Sequence, residues 1–403
     1  MKKLICILGA LGAGGLLFAQ YSVLQGTAGP LPAESASPPV NIEFTSRSSA
    51  HYEVFTPAGV DAEPWLREME LRFEVYNRLF RFNSAALPGP LKVRVFTDLA
   101  AYNGYVAGKL GLVRDGAVYL HYNSFDRREL VILKGSAEAA RLIPHQAFIQ
   151  FARGFVKDIP AWIREGFAVY FSTLTYNESA DALEYEENLA WLDTVKQAGP
   201  TGPETILLAD RNASLPPNFQ GLSWALVSFF LESGDIDYFR TLTDSFMVLN
   251  AGATAVENAE AIYRRLTLFT NLTALARACQ SYIGTKKTFA ELIDQGQKNY
   301  AAKNYAAAEA DFKAAGTMKG GHYAPFYYLA LLAYDRKQFA EAEALYKNAL
   351  DAGAERALVQ YARGVNAAAA GNQSAAESFF EEAARLAPAQ YRAKTGEFIR
   401  GMR

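Results

Sequence analysis

From residue 41 onward, apolar and polar side chains alternate at a period of two in short runs. Residues 41–46 and 51–55 read as a pair of strands, and residues 91–96 (LKVRVF) and 116–122 (GAVYLHY) as two more, the last an edge or neighbouring strand. Between these runs the period lengthens to that of a helix. Residues 63–82 place Trp65, Met69, Phe73, Tyr76 and Leu79 on one broad apolar face, and residues 102–110 predict a shorter helix. Later in the chain, residues 183–198, 221–232, 239–249, 255–263 and 272–284 each carry helical spacing. Strands early and helices late predict an α+β unit with a small mixed sheet.

From residue 289 a longer period sets in. Ala308, Ala342 and Ala376 recur at steps of 34 residues, and so do Phe312, Tyr346 and Phe380, then Ala315, Ala349 and Ala383, then Gly296, Ala330 and Gly364. This spacing resembles the tetratricopeptide (TPR) repeat, in which small residues let two helices of a hairpin approach and aromatics fill the space between hairpins. The resemblance implies an all-α solenoid of three repeats over residues 286–388, with Pro388 ending the third unit and a polar capping helix over residues 389–403. Asn299, Ala333 and Ala367 stand where the repeat carries a tyrosine in its first helix. The groove positions that follow are Gln297, Tyr300, Tyr327, Tyr334, Asp335 and Tyr361. Tyrosines with polar tips suit a protein or peptide partner; they equally suit packing between repeats or against the preceding domain.

Candidate chemistry concentrates in residues 145–171, HQAFIQFARGFVKDIPAWIREGFAVYF. A zinc-peptidase helix reads H-E-x-x-H: histidines four residues apart share a face and bind zinc, and the glutamate deprotonates the metal-bound water. Here His145 is followed by Gln146, whose neutral amide cannot exchange a proton, and Ile149 stands at the second histidine with no lone pair to donate. Downstream, PAWIREGFAVYF (residues 160–171) resembles the second motif of gluzincins, the thermolysin-type metallopeptidases, and is most similar to bacterial peptidase-MA-like proteins. In that pattern the ligand glutamate maps onto Glu165, with Gly166, Ala168, Tyr170 and Phe171 also matching, and His145 maps onto the first zinc histidine. The resemblance spans roughly residues 51–285 and places a degenerate peptidase-like domain over residues 40–285. Glu165 also reads as a solvated helix carboxylate paired with an arginine such as Arg164 or Arg153. His51 and His121 fall in strand-like runs, where structural roles are the default; either replaces the lost ligand only by spatial accident.

Composition narrows the partners. With 40 basic and 42 acidic residues the net charge is −2, so neither nucleic acid nor an anionic membrane surface is indicated. Residues 1–19 have the charged start, apolar run and small-residue end of an export signal, and residues 20–39 read as a Gly/Pro/Ser-rich tether. An uncleaved membrane anchor is the alternative for residues 4–19. Cys6 lies inside the apolar run, so cleavage leaves Cys279 alone and no internal disulfide. The expectation is an exported, periplasmic or envelope-associated pseudopeptidase scaffold without cofactor. Two other readings stand beside it: a zinc-dependent hydrolase that uses His145, Glu165 and a non-standard third ligand, and an unrelated α+β fold serving the repeats.

Overall fold

A computed structural model describes residues 42–402, so the expected leader, tether and Cys6 lie outside the described residues. The chain divides into two compact units that meet in sequence between Thr285 and Lys286.

The first unit is mixed α+β. It opens with β1 (Phe44–Ser48), β2 (Tyr52–Pro57), α1 (Glu63–Phe80), β3 (Leu91–Phe96), α2 (Leu99–Leu110), β4 (Ala117–Leu120) and β5 (Glu129–Leu133). The strands form one sheet in the order β1-β2-β3-β5-β4. Its three central strands run parallel, while β1 and β4 pair antiparallel at the two edges. In β2 alternate residues are buried, as one covered face requires. β5 goes beyond the sequence expectation. Its run ELVIL shows no alternation because the strand is buried on both faces along nearly its whole length.

Two helices follow the sheet, α3 (Ala137–Phe155) and α4 (Ala161–Phe171), and then a small hairpin of β6 (Thr175–Asn177) and β7 (Ala182–Glu184). The helix expected over residues 183–198 is corrected here. The Asn177 side chain accepts from the backbone N–H groups of Ser179 and Ala180, closing a tight turn that pairs Leu183 with Tyr176. Helix begins only at α5 (Leu192–Ala198). Then come α6 (Pro203–Leu207), α7 (Phe219–Glu232), α8 (Ile236–Ser245), α9 (Ala255–Phe269) and α10 (Leu272–Thr285). α7 is buried on almost every side, and α4 lies directly on it: a Cβ at Gly166 would come within 2.7 Å of the Ser223 carbonyl oxygen. Glycine there permits the two backbones to touch.

The second unit is a helical stack of α11 (Phe289–Ala301), α12 (Tyr305–Met318), α13 (Tyr323–Asp335), α14 (Phe339–Asp351), α15 (Arg356–Ala369), α16 (Gln373–Leu386) and α17 (Pro388–Met402). The residues that recur at 34-residue steps are its internal contacts. Ala308, Ala342, Ala376, Ala315, Ala349 and Ala383 are all 0% exposed, and Phe312, Tyr346 and Phe380 no more than 1%. A Cβ at Gly296 would fall 2.4 Å from the Phe312 ring, and one at Gly364 would fall 2.6 Å from Phe380. Each hairpin therefore closes on an aromatic of its own second helix. Pro388 starts α17, a position where its missing N–H costs no helical hydrogen bond.

Candidate functional site

Ser136 caps α3, its hydroxyl accepting from Ala139 N–H, and the helix carries Pro144 in its interior. The proline removes one helical hydrogen bond beside His145. Tyr76 of α1 donates its hydroxyl to the Pro144 carbonyl at 3.2 Å, fixing this turn against the core. One face of α3 then enters an aromatic cluster. Phe148 packs among Tyr76, Phe80, Phe151, Phe167 and Phe171, with ring centroids 5.4 to 6.4 Å away. The cluster holds α3 and α4 side by side.

His145 is 2% exposed, and its Nδ1 has no hydrogen-bond partner among the described residues. Burial pushes its pKa down to about 4, with the Glu165 carboxylate opposing the shift. His145 and Glu165 thus lie within electrostatic reach of each other across the helix pair. Glu165 is already engaged. Arg164 Nε donates to one carboxylate oxygen and Gln220 Nε2, from α7, to the other, both at 2.9 Å. Burial alone would raise the carboxyl; the charge of Arg164 and the bonds from Gln220 and Arg164 outweigh it and hold the group below its ordinary value. The arginine pairing read for Glu165 is found, with Arg164 as the partner, but the carboxylate is largely buried and not solvated. Gln146 accepts from the backbone N–H of Tyr119 on the edge strand β4 at 3.2 Å, and Ile149 is half-buried.

These residues do not fit a catalytic zinc. Two donors, one of them held by a guanidinium, fall short of the three that such a site uses. Among the described residues no group of three His, Cys, Asp or Glu side chains is arranged to hold a metal ion. Neither of the other two histidines of the first unit makes up the set. His51 Nδ1 is 2.7 Å from Glu70 and its ring stacks on Phe73. Burial, then the nearby Arg153 and Arg128, push His121 down to about 4, and it belongs to no group of three that could hold a metal. Sequence reasoning did not identify Gln220 as the second partner of Glu165, nor Asp210, which accepts from Ala161 N–H at 2.9 Å at the start of α4. Both come from segments distant in sequence, and no local motif marks them.

The buried His145 makes stability fall with acid. Its folded pKa lies below the unfolded value of about 6.5, so the unfolded chain takes up the proton first and the native state loses ground as pH drops from about 6.5 toward 4. A shift of this size is worth about 3 kcal/mol at full burial. Urea denaturation at pH 7 and pH 4.5 measures it: the acid loss is expected to shrink in His145→Asn, and an identical loss in both proteins would reject the assignment.

In the second unit, Tyr346 lies within electrostatic reach of Tyr327, Tyr300, Tyr334 and Asp335, so four of the six groove positions read from the sequence share one neighbourhood. The Tyr300 hydroxyl is held by Asp335 and, with burial acting first, is pushed well above its ordinary pKa. Gln297 donates to the Tyr328 hydroxyl at 2.5 Å. Tyr334 is half-buried and Asp335 exposed. Tyr361 is corrected: it is 7% exposed and stacks on Tyr391 of α17 at 5.1 Å, so it packs within the stack instead of lining an open surface. No family model, curated protein or solved structure matches this chain.

Proposed function

We propose that residues 40–285 form a gluzincin-like, peptidase-MA-like domain that keeps the frame and has lost the chemistry, and that residues 286–388 form three TPR repeats capped by the last helix. The chain is an exported, non-catalytic scaffold that binds a protein or peptide partner through the repeat groove. One observation carries the reading: a guanidinium 2.9 Å from Glu165 occupies the electrostatic role that a metal dication would have beside that carboxylate. The general base is absent as well, because Gln146 carries no titratable proton and its carbonyl oxygen accepts from the edge strand. The repeat reading is supported by the burial of every residue in the 34-residue register. The partner reading is supported by the tyrosine and aspartate cluster around Tyr346.

The partner is tested in cells of the native host with a photo-crosslinking residue in place of Tyr334. A discrete protein adduct is expected, lost when Tyr300→Ala and Asp335→Ala are added. Absence of any adduct both there and from the same label at Gln297 would remove the groove as the binding surface.

A further inference from the structure

The first unit contains a cavity of about 540 Å³ well away in sequence from the α3–α4 pair. Leu222, Ala225 and Leu226 of α7 form one wall and Ala276, Cys279 and Ile283 of α10 the facing one. Val195 of α5 and Ile206 of α6 complete the floor. The sequence creates the space by placing small side chains on facing helices: Ala225 and Ala276 stand where leucine or phenylalanine would fill the gap. Cys279 Sγ approaches the Ala225 carbonyl at 3.9 Å and bridges the two walls. The lining is sorted by depth. Val195, Ile206, Leu222, Ala225, Leu226 and Ile283 are buried, whereas Pro200, Gly202, Gln280 and Gly284 are exposed at the opening, with half-buried Lys196 and Thr201 beside them. Such a floor gives water too few hydrogen-bond partners to make it a good filling, while an apolar chain restores the dispersion contacts the walls lack. The volume lies within the roughly 300–1,000 Å³ of pockets that hold small organic ligands.

We propose that this cavity binds a single-chain amphiphile, its alkyl tail among the α7 and α10 side chains and its polar head at the Lys196 and Gln280 rim. An apolar floor and a one-sided polar mouth match that ligand class and leave a fully polar metabolite without partners at depth. The site is independent of the metal question and of the repeat groove. It also gives Cys279, a thiol that burial holds protonated, a place in the binding wall.

The test is a fluorescence titration of the full chain with cis-parinaric acid. Saturable binding near one site per chain, displaced by palmitate, is expected. Ala225→Phe projects a ring from the α7 wall into the cavity and is expected to weaken binding at least ten-fold with an unchanged circular dichroism spectrum. Should that variant misfold, the otherwise unsubstituted fold decides. In Cys6→Ser protein the remaining thiol, Cys279, is expected to react with dithiodipyridine at least ten-fold more slowly when palmitate is present. No saturable binding, binding that a folded Ala225→Phe retains in full, or a Cys279 rate indifferent to palmitate would each overturn the proposal.

Discussion

Phe148→Ala is expected to lower the unfolding free energy of the first unit by about 3–5 kcal/mol, the range for removing a buried aromatic. The side chain is 0% exposed, and five aromatic rings from α1, α3 and α4 surround it. Those helices meet at this ring, so the cavity left by alanine has walls from three elements and cannot collapse by moving one. Ile149→Ala, one residue on, is the control. Ile149 is half-buried, and its loss is expected to cost clearly less. Urea denaturation of both variants at pH 7 measures the difference. A Phe148→Ala loss under about 1 kcal/mol would mean that α3 is not held by its aromatic face.

The second large effect is on zinc affinity. Gln146→Glu together with Ile149→His places an H-E-x-x-H sequence on α3, its two histidines four residues apart on one helical face. If residues 40–285 are a gluzincin-like frame, the double variant is expected to bind zinc at least about a hundred-fold tighter than the unsubstituted chain, since a direct ligand is worth more than the ten- to hundred-fold of an outer partner. Arg164 must then release Glu165, so adding Arg164→Ala is expected to tighten binding further and adding Glu165→Gln to abolish it. Competition with a chromogenic chelator reads all three. Unchanged zinc affinity in the double variant would show that α3 and α4 do not hold ligands at metal-binding geometry.

Much of this layout was legible in the chain because one-sided burial writes itself into periodicity. The strand at Leu91–Phe96 has the bounds that alternation predicts, and α1 starts at Glu63 as helical spacing predicts but ends at Phe80, where Arg81 turns left-handed, instead of at residue 82. The 34-residue register was legible because its positions are the closest contacts of the stack, where only Ala, Gly or one aromatic fits. β5 was hidden because burial on both faces erases alternation, and β7 because an Asx turn outweighed an apolar run. At the candidate site, Ile149 and Gln146 plainly stand where the H-E-x-x-H motif has its second histidine and its glutamate. Gln220 and Asp210 were not legible, because their roles arise from packing between distant segments. Tyr361 was misplaced for a related reason: its partner Tyr391 belongs to a helix outside the repeat.

The central claim is that the proposed peptidase-like domain does not hold a metal. Elemental analysis of the purified full chain after incubation with zinc and desalting, alongside His145→Ala, tests it most directly. Zinc at background in both proteins is the expected result; one zinc per chain, lost in His145→Ala, would contradict the reading of Glu165 as an arginine-paired carboxylate and return the chain to the enzymes.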